Sequence, residues 1–288
     1  MSSLIFLNHL LTYESGIDEA HYAWYIDNWN KKSLDYFLTS SPGNIIRNIV
    51  TGEPLRTRLT VAEYFSAIGV VEYFNPLSIG SLRQMKYRSI NPWGFIGYQL
   101  GEQALFECGI YLPKKEKRIY DGELLYLDVF YSKLSDSNWA NGLRKKEFLS
   151  KDKTPLFIAQ DVNTWEGSFS GKYDIHTISD LYTPDKQNLV VKDLINFNYI
   201  KLSSILEKHS IKLQSLEGKS WHSDIEGTEK GVKVDFSFSG MLACCHLCGY
   251  EATANLLLKD EMSFDEIKTS ILKYMYIFRG YDVSDLIV

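Results

Sequence analysis

The chain has 288 residues, of which 45% are hydrophobic, 14% aromatic and 23% charged, so it is long and apolar enough to bury a core and is not generally disordered. With 36 acids against 31 bases the formal net charge is -5, the wrong sign for a nucleic-acid binder. No run of 18 apolar residues reads as a membrane span. The opening MSSLIFLNHLLTY lacks the basic n-region and small-residue cleavage site of a signal peptide, so a chain made whole in the cytoplasm is expected.

In chain order, Leu4, Leu7 and Leu11 lie at helical spacing, with Phe6, Leu10 and Tyr13 on an adjoining stripe, and the pattern stops at Gly16. The spacing predicts a short helix delivering Glu14 at its end. Residues 18–91 read as a lobe that is helical in pieces, over Glu19 to Trp29 and Thr60 to Phe74, interrupted by the turn-rich SSPGN and TGEP. Asn91 and Pro92 then lead into a Gly-rich entry and a helical pattern from Gln99 to Cys108. Between Lys114 and Phe157, ELLYLDVFY and TPLFIAQDV are β-branched and aromatic runs that predict a small antiparallel excursion. Short and long helices are expected at Thr177 to Tyr182 and Pro184 to Glu207, and two more at Ser239 to Lys259 and Ser263 to Arg279. The economical architecture is a single mainly α (α+β) domain over 1–288, with insertions at 18–91 and 114–160.

Two segments suggest chemistry. In Tyr13-Glu14-Ser15-Gly16 a carboxylic acid leaves an apolar helix just before a glycine that allows close approach to the backbone. Wrapped by Leu10, Leu11 and Tyr13 it would be desolvated, which raises a carboxyl pKa toward the range of a general acid able to protonate a glycosidic oxygen. The plainer reading is a solvated helix-end acid. In NPWGFIGYQLGEQAL, Gly94, Gly97 and Gly101 leave room, Trp93, Phe95 and Tyr98 supply ring faces, and Gln99 supplies an amide, a suitable lining for a saccharide groove. Here the plainer reading is a helix start packed by small residues. Glu102, one turn past Gln99, shares its face and is the rival acid; it reads equally as a solvated residue or an ion-pair member.

Taken together, Glu14-Ser15-Gly16 and Gly94-Phe95-Ile96-Gly97-Tyr98-Gln99 resemble the lysozyme superfamily, in particular its lytic transglycosylases. The spelling Gly-x-Tyr-Gln-x-Gly-Glu-x-Ala-Leu is similar to a bacterial and phage peptidoglycan-hydrolase branch that includes type VI secretion effectors. Trp165-Glu166-Gly167-Ser168-Phe169-Ser170-Gly171-Lys172 resembles that branch's Trp-x-Gly-x-x-x-Gly-Lys turn, and Phe238-Ser239-Gly240-Met241-Leu242-Ala243 with His246-Leu247 resembles its Ser-Gly-Leu-Leu-Ala-Ala-Ala-His-Leu helix. The resemblance implies a lysozyme-like helical fold with a helical insertion and a small antiparallel β element. It implies cleavage of the β-1,4 bond between N-acetylmuramic acid and N-acetylglucosamine, with Glu14 as catalytic acid, Glu102 in reserve, and Tyr98, Gln99, Trp93 and Ser15 binding substrate. Attack by the muramic acid 6-hydroxyl would make a transglycosylase, and attack by water a muramidase; Asp18, Asp27 or Glu102 could be a second carboxylate. Partners would be peptidoglycan strands, a secretion apparatus or phage route that delivers the protein to the periplasm or cell wall, and an immunity protein. A non-catalytic glycan-binding or envelope-structural protein of the same fold is the alternative.

No cofactor or metal is expected. CCHLC at Cys244 to Cys248 has zinc-ligand chemistry, but two helix faces are involved and a closed site would need ligands from elsewhere, with Cys108 the remaining thiol; the resembling helix carries alanines at these positions, which implies small buried fillers. Asp161, Asn163, Glu166 and Asp174 lack EF-hand spacing and read as turn-stabilising side chains. The run Lys114-Lys115-Glu116-Lys117-Arg118 reads as a solvated turn, or as cationic groups that help hold anionic peptidoglycan, and no phosphate loop, dinucleotide fingerprint or serine elbow is present.

Overall fold

The computed structural model describes residues 3–41, 44–46, 48–51, 54–74, 78–112, 115–120, 123–128, 163–265 and 268–287. The fold is mainly α with small antiparallel β pairs, and it forms two compact units, one of residues 1–18 with 188–288 and one of residues 19–187. Helix α1 (Ser3–Ser15) opens the first unit. Phe6, Leu7, Leu10 and Leu11 are buried and form its core face, whereas Leu4, expected on that face, is 64% exposed. Its hydroxyl neighbour Ser3 donates to Asp285 Oδ2 at 2.6 Å, tying the helix start to the chain's last turn. The helix stops where expected because Gly16 takes a φ of 66°, the left-handed conformation that ends helices.

In the second unit, α2 (Tyr22–Asp27) is followed by strands that were not expected between the two helical pieces: β1 (Leu34–Phe37), β2 (Thr39–Ser41), β3 (Asn44–Ile45) and β4 (Arg56–Leu59). Strands β1 and β4 pair antiparallel with Leu34 opposite Leu59, and β2 pairs with β3. Helix α3 (Val61–Ala67) starts in a capping box between Thr60 and Glu63 and ends before Gly69, so the helix expected to Phe74 is two pieces. Helix α4 (Ile79–Arg88) buries Lys86, whose ammonium donates to Glu19 Oε2 at 2.7 Å. After α5 (Glu102–Glu107) come β5 (Tyr111–Leu112) and the hairpin of β6 (Lys115–Tyr120) with β7 (Glu123–Asp128). This hairpin is the expected β excursion; the TPLFIAQDV run lies outside the described residues. Strand β8 (Ser168–Phe169) returns to pair with β5, and α6 (Ile178–Leu181) follows.

The long helix α7 (Pro184–Lys208) carries the chain back into the first unit, where Val190, Val191, Ile195, Leu202 and Leu206 are buried. An unforeseen hairpin of β9 (Ser220–Ser223) and β10 (Val232–Asp235) precedes α8 (Phe238–Lys259). Helix α8 is kinked at Gly249, which sits at φ 79° and ψ 168°. The last helix, α9 (Ile271–Ile277), is shorter than the expected Ser263 to Arg279: Phe264 forms an antiparallel bridge with Ser270, and Ile271 N donates to Ser263 O. A Cβ on Gly240 would lie 2.6 Å from the carbonyl oxygen of Met275, so α8 and α9 touch backbone to backbone only because position 240 has no side chain.

Candidate functional site

Within the first unit, α1 delivers Glu14 into the space between α8 and α9. Its side chain is 7% exposed, which removes the reading of a solvated helix-end acid. The Tyr274 hydroxyl, from α9, donates to Glu14 Oε1 at 2.7 Å, and His246 Nε2, from α8, stands 3.7 Å from the same oxygen with its own side chain 5% exposed. Burial pushes the Glu14 carboxyl up to about 8; the Tyr274 hydrogen bond opposes that rise and the negative charge of Asp265 adds to it. An acid with that value is mostly protonated at neutral pH. Two of the four motif segments noted in the sequence, Glu14-Ser15-Gly16 and the helix carrying His246, therefore meet at one buried oxygen. Ser15, expected to bind substrate, is buried and closes the helix end: its hydroxyl donates to Thr12 O at 3.4 Å and accepts from Ile17 N at 3.3 Å.

The surroundings of Glu14 are aromatic and basic. Tyr13 packs edge-on against Tyr274 and Phe278 with ring centroids 5.3 and 5.6 Å away. The Tyr13 hydroxyl bonds the Lys273 ammonium, which lies 3.3 Å from Glu226 Oε2. Tyr274, Asp265 and Lys273 had no signal in the sequence, since nothing in their spacing ties them to residue 14. Of the carboxylates offered as a second acid, Asp27 and Glu102 belong to the other unit, and Asp18 acts on His9; the carboxylate whose charge reaches Glu14 is Asp265.

The other candidate residues lie in the second unit. Tyr98 is 1% exposed and Trp93 8%, so the ring faces expected to line a groove are packed inside: Trp93 stands edge-on to Phe37 at 5.0 Å, and Tyr98 to Tyr87 at 6.1 Å. This corrects the expectation, and the reason is that the glycines admit neighbours rather than ligand. The position of a Cβ on Gly97 is filled by Gln187 Oε1, and that of one on Gly94 by Asn163 O. Gln99 is held in the left-handed region at φ 58°, and its Oε1 accepts from Asn91 Nδ2. Such a conformation costs a non-glycine residue on the order of 1 kcal/mol or more and persists only where its surroundings fix it.

Glu102 is 1% exposed rather than solvated. Its Oε1 accepts from the Tyr111 hydroxyl at 2.8 Å and its Oε2 from Thr164 N at 3.3 Å, while its own backbone N donates to Asn163 Oδ1 at 2.8 Å. Trp165 Nε1 donates to Gly94 O at 2.8 Å and Lys172 Nζ to Cys108 O at 2.9 Å, so the remaining two motif segments lock together here around Glu102. This carboxylate serves as a knot between loops.

Cys244 and Cys245 behave as fillers. Cys244 and Cys245 are buried, Cys244 Sγ donates to Ile271 O at 3.1 Å, and burial pushes the Cys245 thiol up to about 12. Among the described residues no group of three or more His, Cys, Asp or Glu is placed to hold a metal ion, and no helix is long and apolar enough to cross a membrane. Asn163 acts as a turn stabiliser, donating from its backbone to Trp93 O at 2.7 Å; Asp161 lies outside the described residues. Set against protein-family models, curated proteins and solved structures, the chain matches none of them.

Proposed function

We propose that this protein cleaves glycan strands of bacterial peptidoglycan at the β-1,4 bond after N-acetylmuramic acid, with Glu14 as the proton donor. The observation that carries the reading is a buried carboxyl, protonated near neutrality and aimed by a tyrosine hydroxyl, at the position where the lysozyme-superfamily resemblance puts the catalytic acid. Glu14 gives its proton to the glycosidic oxygen as the C1–O bond breaks. Its carboxylate then takes a proton from the attacking hydroxyl, which is the muramic acid 6-hydroxyl in a transglycosylase and water in a muramidase. The reading includes delivery to the periplasm or cell wall as an antibacterial effector with a cognate immunity protein, an inference from the resemblance alone.

Purified sacculi incubated with the protein are expected to release soluble muropeptides, detected by mass, and Glu14→Gln to release none. Release by both proteins would remove Glu14 from the reaction. Release by neither would favour the alternative, a glycan-binding envelope protein. Anhydro or reducing ends on the fragments separate transglycosylase from hydrolase.

A further inference from the structure

The rings assigned to substrate from the sequence, Trp93 and Tyr98, are packed away, whereas a different set of rings borders Glu14. Helix α1 places His9 and Tyr13 four residues apart on one face, and both are half-buried. His9 Nδ1 is 2.7 Å from the hydroxyl of Tyr281, itself half-buried, and the two rings are 5.7 Å apart. Phe278, fully buried, lies under both His9 and Tyr13, at 4.8 and 5.6 Å. The strip continues through the Tyr13 hydroxyl to Lys273, and through Tyr274 to the Glu14 carboxyl.

We propose that His9, Tyr13 and Tyr281 form a saccharide platform leading to Glu14, with Lys273 taking a carboxylate carried by the sugar strand. The inference rests on the reading of the protein as a peptidoglycan enzyme and supplies the part of the site that binds. An N-acetylated hexosamine has apolar CH faces for ring surfaces and hydroxyl and amide groups for polar ring edges. The strip offers both at once, since its rings rest on apolar Phe278 while an imidazole and two phenol hydroxyls stand at half-exposed positions. Burial holds His9 below the ordinary histidine range, with Asp18 partly opposing, and with Nδ1 paired to Tyr281 it has Nε2 left for sugar. The ammonium complements the lactyl carboxylate that distinguishes muramic acid from glucosamine. Besides the Tyr13 hydroxyl it meets Glu226, whose side chain is 90% exposed, and such a surface ion pair is readily exchanged.

The test uses the full chain carrying Glu14→Gln, so that ligand is not consumed, titrated by calorimetry with N-acetylglucosamine hexamer and with a muramic-acid-containing tetrasaccharide. Tyr281→Ala in that background is expected to weaken both ligands about tenfold, the scale of one lost ring contact with its hydrogen bond. Lys273→Gln is expected to weaken the carboxylate-bearing ligand about tenfold and leave the hexamer unchanged. Unchanged binding in both variants, or no binding of either sugar before substitution, overturns the platform. If the platform binds and these substitutions weaken it while sacculi stay intact with the unsubstituted protein, the cleavage reading fails and the platform stands. If sacculi are cut with undiminished affinity in both variants, the reverse holds.

Discussion

Glu14 is the proposed proton donor, and its raised pKa is also a statement about stability. A carboxyl that titrates at about 8 in the folded chain, against an ordinary 4.5, binds its proton more tightly in the native state than in the unfolded one. The native state therefore carries the extra proton between those two values, and stability falls as pH rises through that window. Glu14→Gln removes the titration, so its unfolding free energy should exceed the parent's above pH 8 by on the order of 4 kcal/mol and converge with it below about pH 5. Denaturant melts at pH 5 and pH 9 check this; a constant difference at both would mean that the group is not the source. Under the proposed mechanism the same proton sets the rate. Only protonated Glu14 can act as acid, so cleavage should decline above pH 8, and the partners of Glu14 should move that limb in opposite directions. Tyr274→Phe deletes the hydrogen bond that favours the carboxylate and should shift the alkaline limb upward by about one unit. Asp265→Asn deletes the charge that disfavours the carboxylate and should shift it downward. A pH-rate series on the three proteins reads both signs.

At the scale of elements, the site exists because helices are allowed to come close. Gly240 gives α8 its contact with α9, where a methyl group would meet the Met275 carbonyl oxygen at 2.6 Å and the Met275 sulfur at 2.7 Å. Gly240→Ala should therefore force α9 outward, costing about 1–3 kcal/mol and, because α9 carries Lys273 and Tyr274, lowering cleavage beyond what the lost stability explains. Gly97→Ala tests the other unit, where the intruding methyl would occupy the place of Gln187 Oε1 in a left-handed backbone; a loss of similar size is expected there in thermal melts. These glycines also show what the sequence could convey. Helix α1 was legible because its apolar stripe and terminating Gly16 are local facts, and so was the long α7. The strands at 34–59 were not, since their four-residue runs alternate weakly and their pairing of Leu34 with Leu59 is a tertiary fact. Gly94 and Gly97 stood out correctly as places of close approach, but a sequence does not tell whether the approaching group is a sugar or Gln187. The burial of Glu14 was one of two readings that Leu10, Leu11 and Tyr13 left open, whereas Tyr274, 260 residues away, had no local signal.

Across the whole molecule the charge opposes the proposed substrate. A chain at -5 approaching strands that carry lactyl and peptide carboxylates meets long-range repulsion, and the attraction at Lys273 acts only at contact. Screening relieves the first before it weakens the second, because the Debye length falls from roughly 30 Å at about 0.01 M to about 8 Å at physiological salt. The apparent KM for sacculi should therefore fall by a few-fold over that range while kcat stays level, and Lys273→Gln should raise KM at every salt concentration without changing the direction of the trend. Glu14 lies beyond the reach of this screening, since its pKa is raised first by desolvation and only last by Asp265. The alkaline limb of the rate should stay in place as salt is added. A limb that travels with ionic strength would mean that surface charge rather than burial holds the proton on Glu14, and the acid would then have to be sought on another residue.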